Sequence, residues 1–184
     1  FFMKKKILSA VIVALAAIFC VSDALLTAGT DAGGGDTAAL MEKAENTPFG
    51  RYPETVTYTL GKLSGANNSN LPEGDTYEDN AYTRYVKKRI NAQNKDAFEL
   101  SDNNYNDRVS ISIASGDMPD VCLVDSEVTL RRLVSEGRVE DLTEVYKRCA
   151  SQRIKDIYES YGDEIFDPVT FDDRLYALPE TNID

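Results

Sequence analysis

From Ala114 to Asp125 the chain reads Ala-Ser-Gly-Asp-Met-Pro-Asp-Val-Cys-Leu-Val-Asp, and this stretch narrows the fold more than any other. Gly116 can take the left-handed conformation that closes a helix. Pro119 biases Met118 toward an extended backbone. Val121–Val124 is too short for a helix and apolar at every position, as expected of a strand buried on both faces. Asp125 ends it. A helix that stops this sharply before such a strand predicts a parallel sheet covered by helices.

The flanking segments agree. Thr55-Val56-Thr57-Tyr58-Thr59-Leu60 is β-branched and alternating, which predicts a strand. A polar loop follows over 62–74. Asn80 is placed to cap a helix running to about Asn94, with Tyr82, Tyr85, Val86 and Ile90 as its apolar, core-facing stripe. A short strand is expected over 96–100. Residues 104–115 admit two patterns. Val109, Ile111 and Ile113 alternate as in a strand, whereas Tyr105, Val109 and Ile113 share one helical face; Gly116 as a cap favours the helix. Further helices are expected from Leu130 to Gly137, Thr143 to Cys149 and Ile154 to Tyr161. Arg174–Leu178 reads as a strand halted by Pro179. The order β-α-β-α-β-α predicts an α/β fold with right-handed crossovers.

Composition removes several chemistries. The 184 residues contain no histidine, which excludes Ser-His-Asp and Cys-His catalysis and histidine metal ligation within this chain. The formal net charge is −11 and long basic runs are absent, so no nucleic-acid partner is expected. Asp102, Asn104 and Asn106 alternate like calcium ligands. Asp107 stands where the loop needs glycine and Ile113 where it needs a bidentate glutamate, so a solvated turn and helix cap is the better reading. Gly33-Gly34-Gly35 lacks the lysine and the preceding strand of a phosphate loop. No metal and no cofactor is therefore assigned. Glu140-Asp141, Asp163-Glu164 and Asp172-Asp173 are sequence neighbours, not a pair spaced across a cleft as glycoside hydrolysis requires. Tyr176, at a strand end beside a proline, is a candidate for stacking on a ligand. Cys122 is expected to be buried and free, with a Cys122–Cys149 disulfide as the alternative.

The N-terminus has the layout of a secretory signal over residues 3–20. Lys4-Lys5-Lys6 precede an apolar stretch from Ile7 to Phe19, and Cys20 follows. Cys20 resembles the lipidated cysteine of a bacterial lipoprotein, although Phe19 stands where a small residue is usual. Cleavage after Ala24 or Ala28 is the alternative. Residues 21–50 are small and polar and read as a flexible tether, with a short helix allowed over 38–45. Residues 51–184 form the folded part. Phe1-Phe2 ahead of Met3, and the ending at Asp184 soon after Leu178-Pro179, read as the edges of a fragment.

Taken together, the lipoprotein-like start, YNDRVSISIASGDMPDV (105–121), LVSEGRVEDLTEVY (133–146) and TFDDRLYALP (170–179) resemble the extracellular solute-binding lipoproteins of bacterial ABC importers. The likeness is to the sugar-type class with the larger periplasmic-binding-protein fold. It implies a partial N-terminal lobe of a two-lobe protein whose hinge closes around the solute. It implies a sugar or oligosaccharide ligand, an importer permease as partner, no catalysis, and a location at the outer face of the membrane held by lipid, or else secretion. The ligand would lie beyond the carboxyl ends of the strands. That implies Lys62, Leu63 and Ser64 after the first strand, Asp125 and Ser126 after the third, and Glu180, Thr181 and Asn182 beyond the Tyr-Ala-Leu-Pro run. A fragment of a secreted polysaccharide-acting enzyme and a peptide-binding relative of the same architecture are the alternatives.

Overall fold

The computed structural model describes residues 8–9, 34–65 and 71–181. The elements run β1 (Leu8–Ser9), α1 (Gly34–Glu45), β2 (Val56–Leu63), α2 (Ala81–Ile90), β3 (Ala92–Leu100), α3 (Asp102–Ser115), β4 (Val121–Cys122), α4 (Glu127–Ser135), α5 (Thr143–Cys149), α6 (Gln152–Glu159), a 3-10 helix (Asp163–Val169), β5 (Thr170–Phe171) and β6 (Arg174–Leu175). The fold is α/β. Strands β2, β3 and β4 form a parallel sheet with helices on its faces, and the two-residue β1 lies along the other side of β4. The signal-like stretch beyond Leu8–Ser9, Cys20 and residues 21–33 lie outside the described residues. Residues 34–45, left largely to the tether on sequence grounds, are helical in α1.

The helix at α2 is shorter than its pattern suggests. Asn80 caps it, its side chain accepting from the backbone N–H groups of Tyr82 and Thr83 while the Thr83 hydroxyl accepts from the Asn80 N–H. It ends at Ile90 because Asn91 adopts the left-handed conformation (φ 60°, ψ 37°), a conformation asparagine tolerates better than most residues. Strand β3 therefore starts at Ala92, four residues before the expected Asp96. Only one side of the helix packs inward. Ile90 is buried and Val86 half-buried, whereas Tyr82 and Tyr85, expected in the core, are 69% and 62% exposed.

Residues 102–115 are helical, as Gly116 indicates. Gly116 has φ +76° and its N–H reaches the Ile113 carbonyl. Tyr105, Val109 and Ile113 are buried, while Ile111, the odd member of the strand pattern, is exposed. At the end of α4, Arg138 N–H bonds Leu133 O (2.9 Å) and Gly137 N–H bonds Val134 O (2.9 Å). This paired arrangement satisfies two terminal carbonyls and needs the positive φ of Gly137.

Hydrogen-bonded pairing of β4 is confined to Val121 and Cys122, and Leu123 and Val124 continue as irregular chain. Cys122 is buried and free, and burial pushes its thiol up to about 12. Cys149 is free as well. The segment expected as a further strand, Arg174–Leu178, does not join the parallel sheet. Its first two residues pair antiparallel with Thr170–Phe171 through a two-residue turn in which Asp172 and Asp173 both have positive φ. That requirement of a tight hairpin is usually met by Asn or Gly.

Two main clusters form the core, one on each side of the sheet. Tyr105, Val109, Ile113, Met118, Cys122 and Leu133 pack with Phe98 and Leu100 on the α3 side. Leu130, Leu142, Tyr158, Phe171, Leu175 and Leu178 pack with Tyr58 and Leu60 on the other. A smaller cluster of Ala44, Tyr52, Ile90 and Ala92 fastens α1 to α2 and the start of β3.

Candidate functional site

Strand β2 alternates its side chains between two environments. Thr59 and Gly61 lie in register with Lys95 and Phe98, whereas Tyr58 and Leu60 lie beside Asn94 and Asp96. A bulge makes this work. Leu60 pairs with Asp96 and Gly61 with Phe98, which leaves Ala97 unpaired and re-aims the end of β3. Gly61 is required there, since a Cβ would come within 2.7 Å of the Phe98 ring and 3.3 Å of the Cys122 Cβ.

Two clefts meet at the carboxyl ends of β2 and β4. The larger holds about 580 Å³ and runs from Ser64 and Gly65 along the Tyr58–Leu60 face to Ala92, beneath Asn80, Tyr82, Thr83 and Val86 of α2. The smaller holds about 170 Å³ and lies between Leu123–Glu127 and Ala177–Glu180. Leu123 and Glu180 line both. Glu180 is held at this junction because the buried Tyr158 hydroxyl donates to the Pro179 carbonyl (2.9 Å). The edges of β2 and β4 are held by one phenol. Tyr105 Oη accepts from Leu123 N–H (2.7 Å) and donates to Gly61 O (3.2 Å).

The structure brings together most of the residues that the resemblance implies. Lys62, Leu63 and Ser64 line the larger cleft, Asp125 and Ser126 the smaller, and Glu180 both. Lys62 and Leu63 belong to the end of β2 and not to a loop after it. The Ser126 hydroxyl accepts from Thr129 N–H and caps α4. The Asp125 carboxylate is exposed and has no partner among the described residues. Tyr176 lines neither cleft. It stacks on Phe171 at 6.2 Å and packs against the core. Thr181 is half-buried and lines neither cleft, and Asn182 lies outside the described residues.

Sequence reasoning missed the aromatic part of the larger cleft. Tyr58, Tyr77 and Tyr82 line it, and the Lys62 ammonium sits 5.5 Å from the centre of the Tyr77 ring. Burial holds the Tyr58 phenol above its usual range, and Tyr82 and Asp96 add to this. The signal for Tyr58 was present, since it alternates with Thr57 and Thr59 along the strand.

Asp96 pairs with Leu60, which lines the cleft. Asn94 Nδ2 donates to its Oδ1 (2.7 Å), and its backbone N–H donates to Glu78. Its Oδ2 is buried without a partner among the described residues. Burial raises the pKa of this carboxyl and Glu78 raises it further, against the opposing effects of the Asn94 hydrogen bond and the Lys62 charge.

Chemically, the larger cleft offers tyrosine rings as apolar platforms, Lys62 as a donor, Glu180 as an acceptor, and Ser64 and Asn94 as both. That mixture suits a neutral polyhydroxylated molecule with flat apolar faces. None of the adjacent-carboxylate pairs lines either cleft. Asp141 instead accepts from the backbone N–H and hydroxyl of Thr143 at the start of α5. Among the described residues no cluster of three or more acidic or sulfur ligands is placed to hold a metal ion. Compared with protein-family models and with curated proteins, the chain matches none.

Proposed function

We propose that this chain supplies part of the N-terminal lobe of an extracellular solute-binding protein, one that captures a sugar or oligosaccharide and presents it to an ABC importer permease. Cys20 carries the lipid that keeps it at the membrane in this reading. The observation that supports it most is one cleft that holds Lys62, Ser64 and Glu180 at the carboxyl end of β2 and adds three tyrosines to its lining. Open parallel sheets bind ligands in that position. Binding without bond cleavage fits a site of dispersed donors and acceptors better than one with two opposed carboxylates.

The experiment is a thermal-shift screen of the full chain against neutral mono- and oligosaccharides and against short peptides. A ligand that binds only the folded state raises Tm. Stabilisation by a sugar, with the sugar recovered unchanged, supports the proposal. Stabilisation by peptides alone, or hydrolysis of the sugar, overturns it.

A further inference from the structure

We propose that the outer face of α2 is a docking surface for an anionic lipid bilayer. The helix carries Arg84, Lys87, Lys88 and Arg89 and no acidic residue, in a chain whose net charge is −11. Arg84 is paired with Asp75 and Asp79, but Lys87, Lys88 and Arg89 make no ion pair among the described residues. Arg51 adds to the same end, its Nη1 donating to the Lys88 carbonyl (3.0 Å).

Cations in a last helical turn also favour the helix dipole, which accounts for part of the pattern. It does not account for the aromatic rings beside them. Phe49 is 58% exposed with the Arg89 guanidinium 5.9 Å from its ring centre, and Tyr85, one turn before Arg89, is 62% exposed. Exposed rings among unpaired cations match the headgroup region of a bilayer, where rings sit at the interface and cations reach phosphates.

The position in the chain fits the same occupant. Met41 and Ala44 of α1 pack with Val86 and Ile90 on the inner side of α2, and Phe49, four residues past the end of α1, brings its ring beside Arg89. Residues 21–33 reach roughly 45 Å when fully extended, so a lipid on Cys20 would hold the surface within range of the bilayer. This last point rests on the lipid-anchored reading above, whereas the surface itself does not.

The test is co-sedimentation of the full chain carrying Cys20→Ser, so that no lipid contributes, with phosphatidylcholine vesicles that contain or lack phosphatidylglycerol. The apolar stretch 7–19 is present in every variant, so differences between variants belong to α2. Binding to the anionic vesicles should fall with added salt and weaken about tenfold or more when Lys88→Glu and Arg89→Glu are combined. Phe49→Ser with Tyr85→Ser should weaken it while keeping the salt dependence. Equal binding by the parent and the charge-reversed variant overturns the proposal. So does capture of poly-glutamate without vesicle binding, which would assign the face to an acidic polypeptide. Failure of sugar binding in the cleft leaves this result unaffected.

Discussion

Asp120 Oδ2 accepts two hydrogen bonds from Thr59, one from its backbone N–H and one from its hydroxyl, each at 2.7 Å. The Asp120 N–H returns a bond to the Thr59 hydroxyl oxygen at 2.8 Å. Asp120, one residue before β4, therefore clamps the entry of that strand to the middle of β2. With so short a pairing in β4, this clamp aligns the two strands more than their backbone ladder does. Asp120→Ala should destabilise the protein by about 2–4 kcal/mol, because it strips charge-assisted bonds and orphans the Thr59 N–H. Urea unfolding measures it, and a loss under about 0.5 kcal/mol would contradict the clamp.

Tyr105 performs the corresponding task at the exit of the strands, where Gly61 and Leu123 border the cleft. Tyr105→Phe keeps the buried ring and removes the hydroxyl, leaving the Leu123 N–H without its acceptor. The expected loss is about 1–3 kcal/mol, with faster amide exchange at Leu123 than in the parent. Unchanged exchange there would show that the phenol does not fix this edge.

Asp96 makes the stability of the fold depend on pH in an identifiable direction. Its folded pKa lies above the ordinary 3.8, so the folded state binds the proton more readily than the unfolded one. Its contribution to stability is fully present below 3.8 and is lost as pH rises through the raised folded value. Asp96→Asn should therefore raise Tm at neutral pH, with a gain that shrinks as pH falls toward 3.8. A gain that stays constant into acid would contradict this assignment.

Much of the helical framework was legible because helix ends carry local chemistry. Asn80 as a cap and Gly116 and Gly137 as stops all follow from residue types that act within one turn. The misreadings come from residues whose conformation is decided at longer range. Asn91 ends α2 in a left-handed conformation that nothing in the apolar spacing signals. Strand β3 places the polar Asn94 and Asp96 at half-buried positions, so Ala92–Leu100 carries little of the apolar alternation that marks a strand. Asp172 and Asp173 build a tight turn without glycine, and the segment after them leaves the parallel sheet. At the candidate site, the end of the first strand pointed to Lys62 and Ser64, and the resemblance pointed to Glu180. Tyr77 and Tyr82 meet Tyr58 only once α2 crosses the sheet.

The central claim, that the larger cleft binds a saccharide, is tested most directly by calorimetric titration with whichever oligosaccharide raises Tm. The parent would be compared with Tyr82→Ala, which removes an exposed cleft ring, and with Tyr161→Ala, an exposed ring that does not line the cleft. The account predicts about tenfold or more weaker binding for Tyr82→Ala and no change for Tyr161→Ala. Equal affinity in all three proteins would contradict it.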